Sequence, residues 1–208
     1  MEQDFQIRQS GQRKMVNIPP LAPSARWFSR YIEASGSSAG SEEIAIANSI
    51  IDNPRDFGRF FLEDTRENKI NLSIAIEGGG KQLRTFSSIE DLRLSEHGDW
   101  RKIHLGAIEA CLGRKPFYRE LEPKLSGVYL NRDIVTLREF NTAIFSVLNS
   151  FLMENISKDH ISLFYQNERL RERGKEIKAM IHPEISMIQI LSELGKEAVL
   201  GILSFSDV

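Results

Sequence analysis

Two side chains with the chemistry for a site stand where the sequence pattern calls for apolar residues. His104 falls inside the run Trp100, Ile103, His104, Ala107, Ile108, Cys111 and Leu112, which recurs at three- and four-residue steps. That spacing is one apolar face of a helix. Imidazole titrates near neutrality, so a histidine there can be a general base in a pocket or a hydrogen-bonded core residue. Asn141 interrupts a second stripe, Leu137, Phe140, Ile144, Val147, Leu148, Phe151 and Leu152. A buried amide needs partners, and these could be a loop backbone or a ligand.

Other chemistries lack their residues. His97, His104, His160 and His182 have no ligand-like spacing and no cysteine pair beside them, so no metal is expected. There is no Gly-x-Ser-x-Gly elbow. Cys111 is the only cysteine, two helical turns from His104. That is an axial rise of about 10.5 Å, too long for a hydrogen bond, so Cys111 reads as a small buried hydrophobe. Gly78-Gly79-Gly80-Lys81 follows a strand pattern but lacks the spacing of a phosphate loop and leads into no helix. It reads as a turn, and no cofactor is expected.

The elements that must position His104 and Asn141 follow from periodicity. Asp99 suits the N-cap of the first helix and Gly113 a left-handed C-terminal end. Pro116–Leu121 starts a second helical piece that Pro123 either kinks or restarts, with Leu121, Leu125, Val128 and Tyr129 on one face. Thr136-x-x-Glu139 is a capping box for the third helix. Helices so connected usually pack together, so His104 and Asn141 are expected in contact, directly or through one water, near the sheet edge. Earlier in the chain, Trp27, Phe28, Tyr31 and Ile32 form a helix face. Arg59–Asp64 and Lys69–Glu77 read as a hairpin, with Ile70, Leu72, Ile74 and Ile76 alternating with smaller or polar residues. Val16–Ile18 and His160–Phe164 read as further short strands, Glu43–Ile51 as a strand in preference to a helix, and Leu83–Ser95 as one further strand or short extended pieces around Leu92 and Leu94. Asn167–Met180 mixes charges of both signs, as an exposed helix or ordered loop does. Pro183 suits the first turn of a last helix that ends near Gly195.

The 208 residues suit a single domain, residues 1–208, with a flexible polar tail at 1–14. Hydrophobic content of 41% and charged content of 27% are those of a soluble globular protein. A net charge of −2 gives no case for binding nucleic acid. No apolar run reaches membrane-span length and no signal peptide is visible, so the expected location is cytoplasmic. The fold class is α+β, a small, mainly antiparallel sheet packed against a helical second half. A three-layer α/β arrangement is the alternative.

Trp100-Arg101-x-x-His104, then Pro116-Phe117-Tyr118, then Leu137-x-x-Phe140-Asn141, resemble the WbqC-like family in order and spacing. Those bacterial proteins are often encoded among surface-polysaccharide (O-antigen) biosynthesis genes. The resemblance implies a small-molecule substrate, a nucleotide sugar or acyl donor, and acyl or aminoacyl transfer to an amino sugar. His104 would be the catalytic base, with Trp100, Asn141, Arg59 and Ser186 binding substrate. The chain departs from the pattern: only Arg59 remains of an Asn flanked by arginines, Leu112 stands where a Tyr is expected, and Gln189 where an Asp is expected. Those losses imply the alternative, a non-catalytic small-molecule-binding or scaffold member with an altered site.

Overall fold

A computed structural model describes residues 16–35, 41–48, 51, 53–84, 86–153 and 184–203. The expected tail at 1–14, the strand at His160–Phe164 and the charged segment Asn167–Met180 lie outside the described residues, as does Pro183.

The hairpin forms as expected. Strand β1 (Arg59–Glu63) pairs antiparallel with β2 (Lys69–Ser73), in the register Arg59↔Ser73 through Glu63↔Lys69. Two-residue alternation sends Phe60 and Leu62 inward and leaves Arg59, Phe61 and Glu63 on the other face. The other side of β1 is lined by the segment that precedes the last helix: Ile185 bridges Phe61 in parallel, and the Ser186 amide donates to the Phe61 carbonyl at 3.2 Å. Beyond β2, Ile76 bridges Leu94, and Arg93 bridges Thr136.

Helices surround this hairpin: α1 (Ala25–Ser35), α2 (Ser41–Asn48), α3 (Trp100–Leu112), α4 (Tyr118–Leu130), α5 (Leu137–Met153) and α6 (Met187–Leu203). Successive helices α3, α4 and α5 pack on one another, α6 packs against α1 and α5, and α3 lies on β1. The result is an α+β fold with a two-stranded antiparallel sheet among the described residues. Its core joins Phe57, Phe60 and Leu62 to Ile108, Leu121, Phe140, Ile144, Leu148 and Leu191.

Several local expectations are corrected. Residues 41–48 are helix, not strand. Eight residues carry too little periodicity to separate the two, and packing of α2 on α1 decides it. Val16–Ile18 joins no ladder among the described residues. Asn48 Nδ2 takes the carbonyls of Val16 and Ile18 at 2.6 and 2.8 Å, while its Oδ1 accepts from Trp27 Nε1 at 3.1 Å. A side chain here does the work of a neighbouring strand. Asp99 makes no capping hydrogen bond; it is itself left-handed (φ 47°), because the chain enters α3 through a 3-10 turn, His97–Asp99. Gly113 stays right-handed (φ −58°), and its amide extends the helix ladder to the Glu109 carbonyl at 2.8 Å. Pro123 lies inside α4 without ending it.

The capping box at Thr136 forms as read. The Glu139 amide donates to Thr136 Oγ1 at 3.2 Å, and Glu139 Oε2 accepts from the amides of Val135 and Thr136, both at 3.0 Å. These bonds hold the Glu139 carboxyl below the usual carboxylate range. Gly195 (φ 73°, ψ 167°) interrupts α6, near where the last helix was expected to end.

Candidate functional site

The stripe of α3 carries His104 into the interior, where it is 2% exposed. Its Nε2 lies 3.1 Å from the Ser73 carbonyl on β2. A carbonyl only accepts, so the proton sits on Nε2 and Nδ1 accepts from the Tyr129 hydroxyl at 3.4 Å. Aromatic rings close around the imidazole: Trp100 at 5.2 Å, Tyr129 at 5.8 Å and Phe60 at 6.0 Å, each edge-on. Burial disfavours the charged ring and moves its pKa down to about 4, against a smaller upward effect of the Ser73 bond. At neutral pH His104 is an uncharged imidazole with both nitrogens engaged.

Asn141 is fully buried on α5. Its Nδ2 donates to the carbonyls of Pro19 at 2.9 Å and Phe57 at 2.8 Å, and its Oδ1 has no hydrogen-bond partner among the described residues. His104 and Asn141, expected in contact directly or through one water, form no direct hydrogen bond. Backbone carbonyls take each side chain instead, and Trp100 and Tyr129, which flank His104, pack edge-on against Phe140, the residue before Asn141. Trp100 is buried, its indole nitrogen donating to the Ser95 carbonyl at 2.7 Å. Ser186 is buried where α6 begins, its Oγ accepting from the Ile188 amide at 3.1 Å.

Arg101, on the same helix as His104, is a buried charge that the helical stripe does not reveal. Its guanidinium donates to the carbonyls of Tyr129, Asn131 and Ile134 at 3.3, 3.1 and 2.7 Å, and pairs with Glu96 at 3.1 Å. Those carbonyls lie at and beyond the C-terminal end of α4, where a cation is favoured. Arg101 thereby holds the α4–α5 connection on α3.

Of the five expected site residues, Arg59 borders a cleft that the other four do not line. This cavity, of about 600 Å³, is bounded by residues 20–24, Arg26 and Trp27 at the start of α1, by Ile51, Asn53 and Asp56, by Arg59, Phe60 and Phe61 of β1, and by Lys69 and Glu184. Its volume lies within the range of small-molecule sites. Leu21 N–H donates to the Asp56 carbonyl at 3.3 Å, and Asn141 ties Pro19 to Phe57, so two distant stretches of chain become adjoining walls. Arg59 Nε donates to Asp56 Oδ1 at 2.9 Å, with the Arg59 guanidinium 5.5 Å from the Phe61 ring centroid. Lys69 pairs with Glu184, and its Nζ stands 4.0 Å from the same centroid.

Sequence reading missed Arg26, Asp56, Phe61, Lys69 and Glu184. A signal existed for two of them. Phe61 shares a strand face with Arg59 by two-residue alternation, and Lys69 reaches that face once Glu63↔Lys69 sets the register. Leu112 and Gln189, the departures expected to strip a site of polar groups, lie outside the cleft. Leu112 is fully buried, and Gln189 Oε1 accepts from the Glu63 amide at 2.8 Å while its Nε2 donates to Glu193 at 2.9 Å. The described residues contain no cluster suited to a metal ion and no helix long and apolar enough to cross a membrane.

The fold and its cleft define a small α+β domain with a concave site beside a two-stranded hairpin. The chain belongs to the WbqC-like protein family, whose pattern matches residues 61–183. No curated protein and no solved structure matches it.

Proposed function

We propose that this chain is a small-molecule-binding WbqC-like protein of bacterial cell-surface polysaccharide biosynthesis, working in the cytoplasm on an activated sugar or acyl donor. The observation that carries this reading is the cleft. Five charged side chains, Arg26, Asp56, Arg59, Lys69 and Glu184, converge on a cavity of ligand size beside a half-buried aromatic, Phe61. Charged and aromatic groups in a concavity are what orients a polar ligand there. The polar residues of α3 and α5 then act as positioning residues, since Asn141 holds the cleft walls rather than lining them.

The test is a thermal-shift screen of activated sugars, amino sugars and acyl donors against the wild type and Phe61→Trp, which narrows the cleft. A ligand present at a hundred times its Kd stabilises the native state by about 2.7 kcal/mol. The expected result is a ligand that raises the melting temperature of the wild type and has a weaker effect on Phe61→Trp. A screen in which nothing stabilises the wild type overturns the proposal.

Acyl or aminoacyl transfer to an amino sugar is the second reading, and one observation favours it. The neutral His104 ring meets Phe60 edge-on at 6.0 Å, and Phe60 is also among the residues bordering the cleft. If Phe60 moved aside and the Tyr129 hydroxyl left Nδ1, that unprotonated nitrogen could take a proton from a substrate hydroxyl or amine. Transfer activity unchanged in His104→Gln would remove His104 as the base.

A further inference from the structure

We propose that the cleft selects ligands carrying an oxyanion, a phosphate or a carboxylate, and that Arg59 is the residue that grips it. The inference rests on the binding role proposed for this cleft and specifies the chemical class of the ligand. Guanidinium offers donors on three nitrogens in a rigid fork. In Arg59 only Nε is used, by Asp56, while the terminal nitrogens take no partner among the described residues. The Phe61 ring beneath and the Asp56 carboxylate beside it fix the plane of the group. The side chain is 25% exposed, so part of its water shell is already gone. An arginine held by its Nε, with two parallel donors open toward a cavity, is preorganised for bidentate contact with an oxyanion.

The charge around it points the same way. Three cations, Arg26, Arg59 and Lys69, face two carboxylates, Asp56 and Glu184, so the lining has one positive charge in excess. Arg26 is exposed on the first turn of α1, where it can meet a second oxygen of the same group. A ligand bearing one net negative charge would neutralise the cleft. A neutral sugar would leave the Arg59 fork without an acceptor stronger than water.

Three sugars matched in size separate the possibilities: glucose, glucose 1-phosphate and glucuronate, titrated calorimetrically at low ionic strength. The expected result is that at least one of the two anions binds about tenfold or more tightly than glucose, the value of a charge-assisted bond pair. Which anion wins tells phosphate from carboxylate. Arg59→Gln should reduce the preferred anion to the level of glucose. Arg59→Lys keeps the charge but loses the fork and should fall between. Arg26→Gln, on the exposed first turn, should weaken the anion severalfold and leave the melting temperature unchanged. Equal affinities for all three sugars, no binding of either anion, or an anion affinity untouched by Arg59→Gln overturns the inference. A neutral ligand that stabilises the wild type but not Phe61→Trp, with no response to either anion, would overturn it while the binding role stood.

Discussion

Asn141 Nδ2 and the Phe57 carbonyl lie 2.8 Å apart, joining the N-terminal part of α5 to the short helical turn that precedes β1. The same amide group reaches Pro19, so one side chain closes two backbone segments over the core. Asn141→Leu should cost about 2–4 kcal/mol, because two buried carbonyls lose their donors together. Asn141→Asp should cost more at pH 7, since it turns a carboxylate toward two carbonyl oxygens. Urea denaturation of both variants checks this, and a loss under about 1 kcal/mol would show that the two bonds contribute little.

His104 makes stability depend on pH. Its folded-state pKa, near 4, lies below the unfolded value of 6.5. Between those values the unfolded chain binds a proton that the folded chain refuses, so stability rises with pH across that window. It is complete above pH 6.5 and lost as pH falls toward 4, a span worth about 3 kcal/mol. Denaturant midpoints measured from pH 4 to 7 should show this slope, flattened in His104→Gln. An equal slope in both proteins would assign it to other groups.

Arg101→Met keeps an unbranched, flexible stem and removes every donor. The carbonyls of Tyr129, Asn131 and Ile134 would lose the guanidinium. The expected cost is about 2–4 kcal/mol. Arg101→Lys should recover only part of it, because an ammonium cannot reach three divergent acceptors as a planar fork does. Thermal melts of the two variants test the ranking; Lys as good as Arg would mean that charge alone suffices.

Gly195 occupies a backbone region open essentially to glycine. A Cβ added there would stand 2.9 Å from the Phe117 ring. Gly195→Ala should destabilise by about 1–3 kcal/mol, and chemical denaturation would detect it. A neutral result would mean that α6 straightens at no cost.

Much of this molecule was legible in short windows of sequence. The stripe from Trp100 to Leu112 (apart from Ile103, which is exposed), the capping box at Thr136 and the alternation through Ile70 and Leu72 each lie within a few turns or strand repeats. Local hydrogen bonds and the burial of one face decide such elements. The α2 segment was misread because eight residues fit either period.

His104 and Asn141 were legible as buried polar residues, but their partners were not, and the buried Arg101 gave no sign of itself. Nothing near His104 in sequence names Ser73, and nothing near Asn141 names Pro19 or Phe57. The cleft is further still from any local signal. Its lining comes from residues 20–27, 51–61, 69 and 184, brought together by Leu21 on Asp56, Met187 on Pro23 and Ser186 on Phe61. Periodicity states which face of an element is buried, whereas a cavity exists only where several elements meet and fail to fill the space between them. That geometry depends on the packing of the whole chain, so tertiary structure alone decided it.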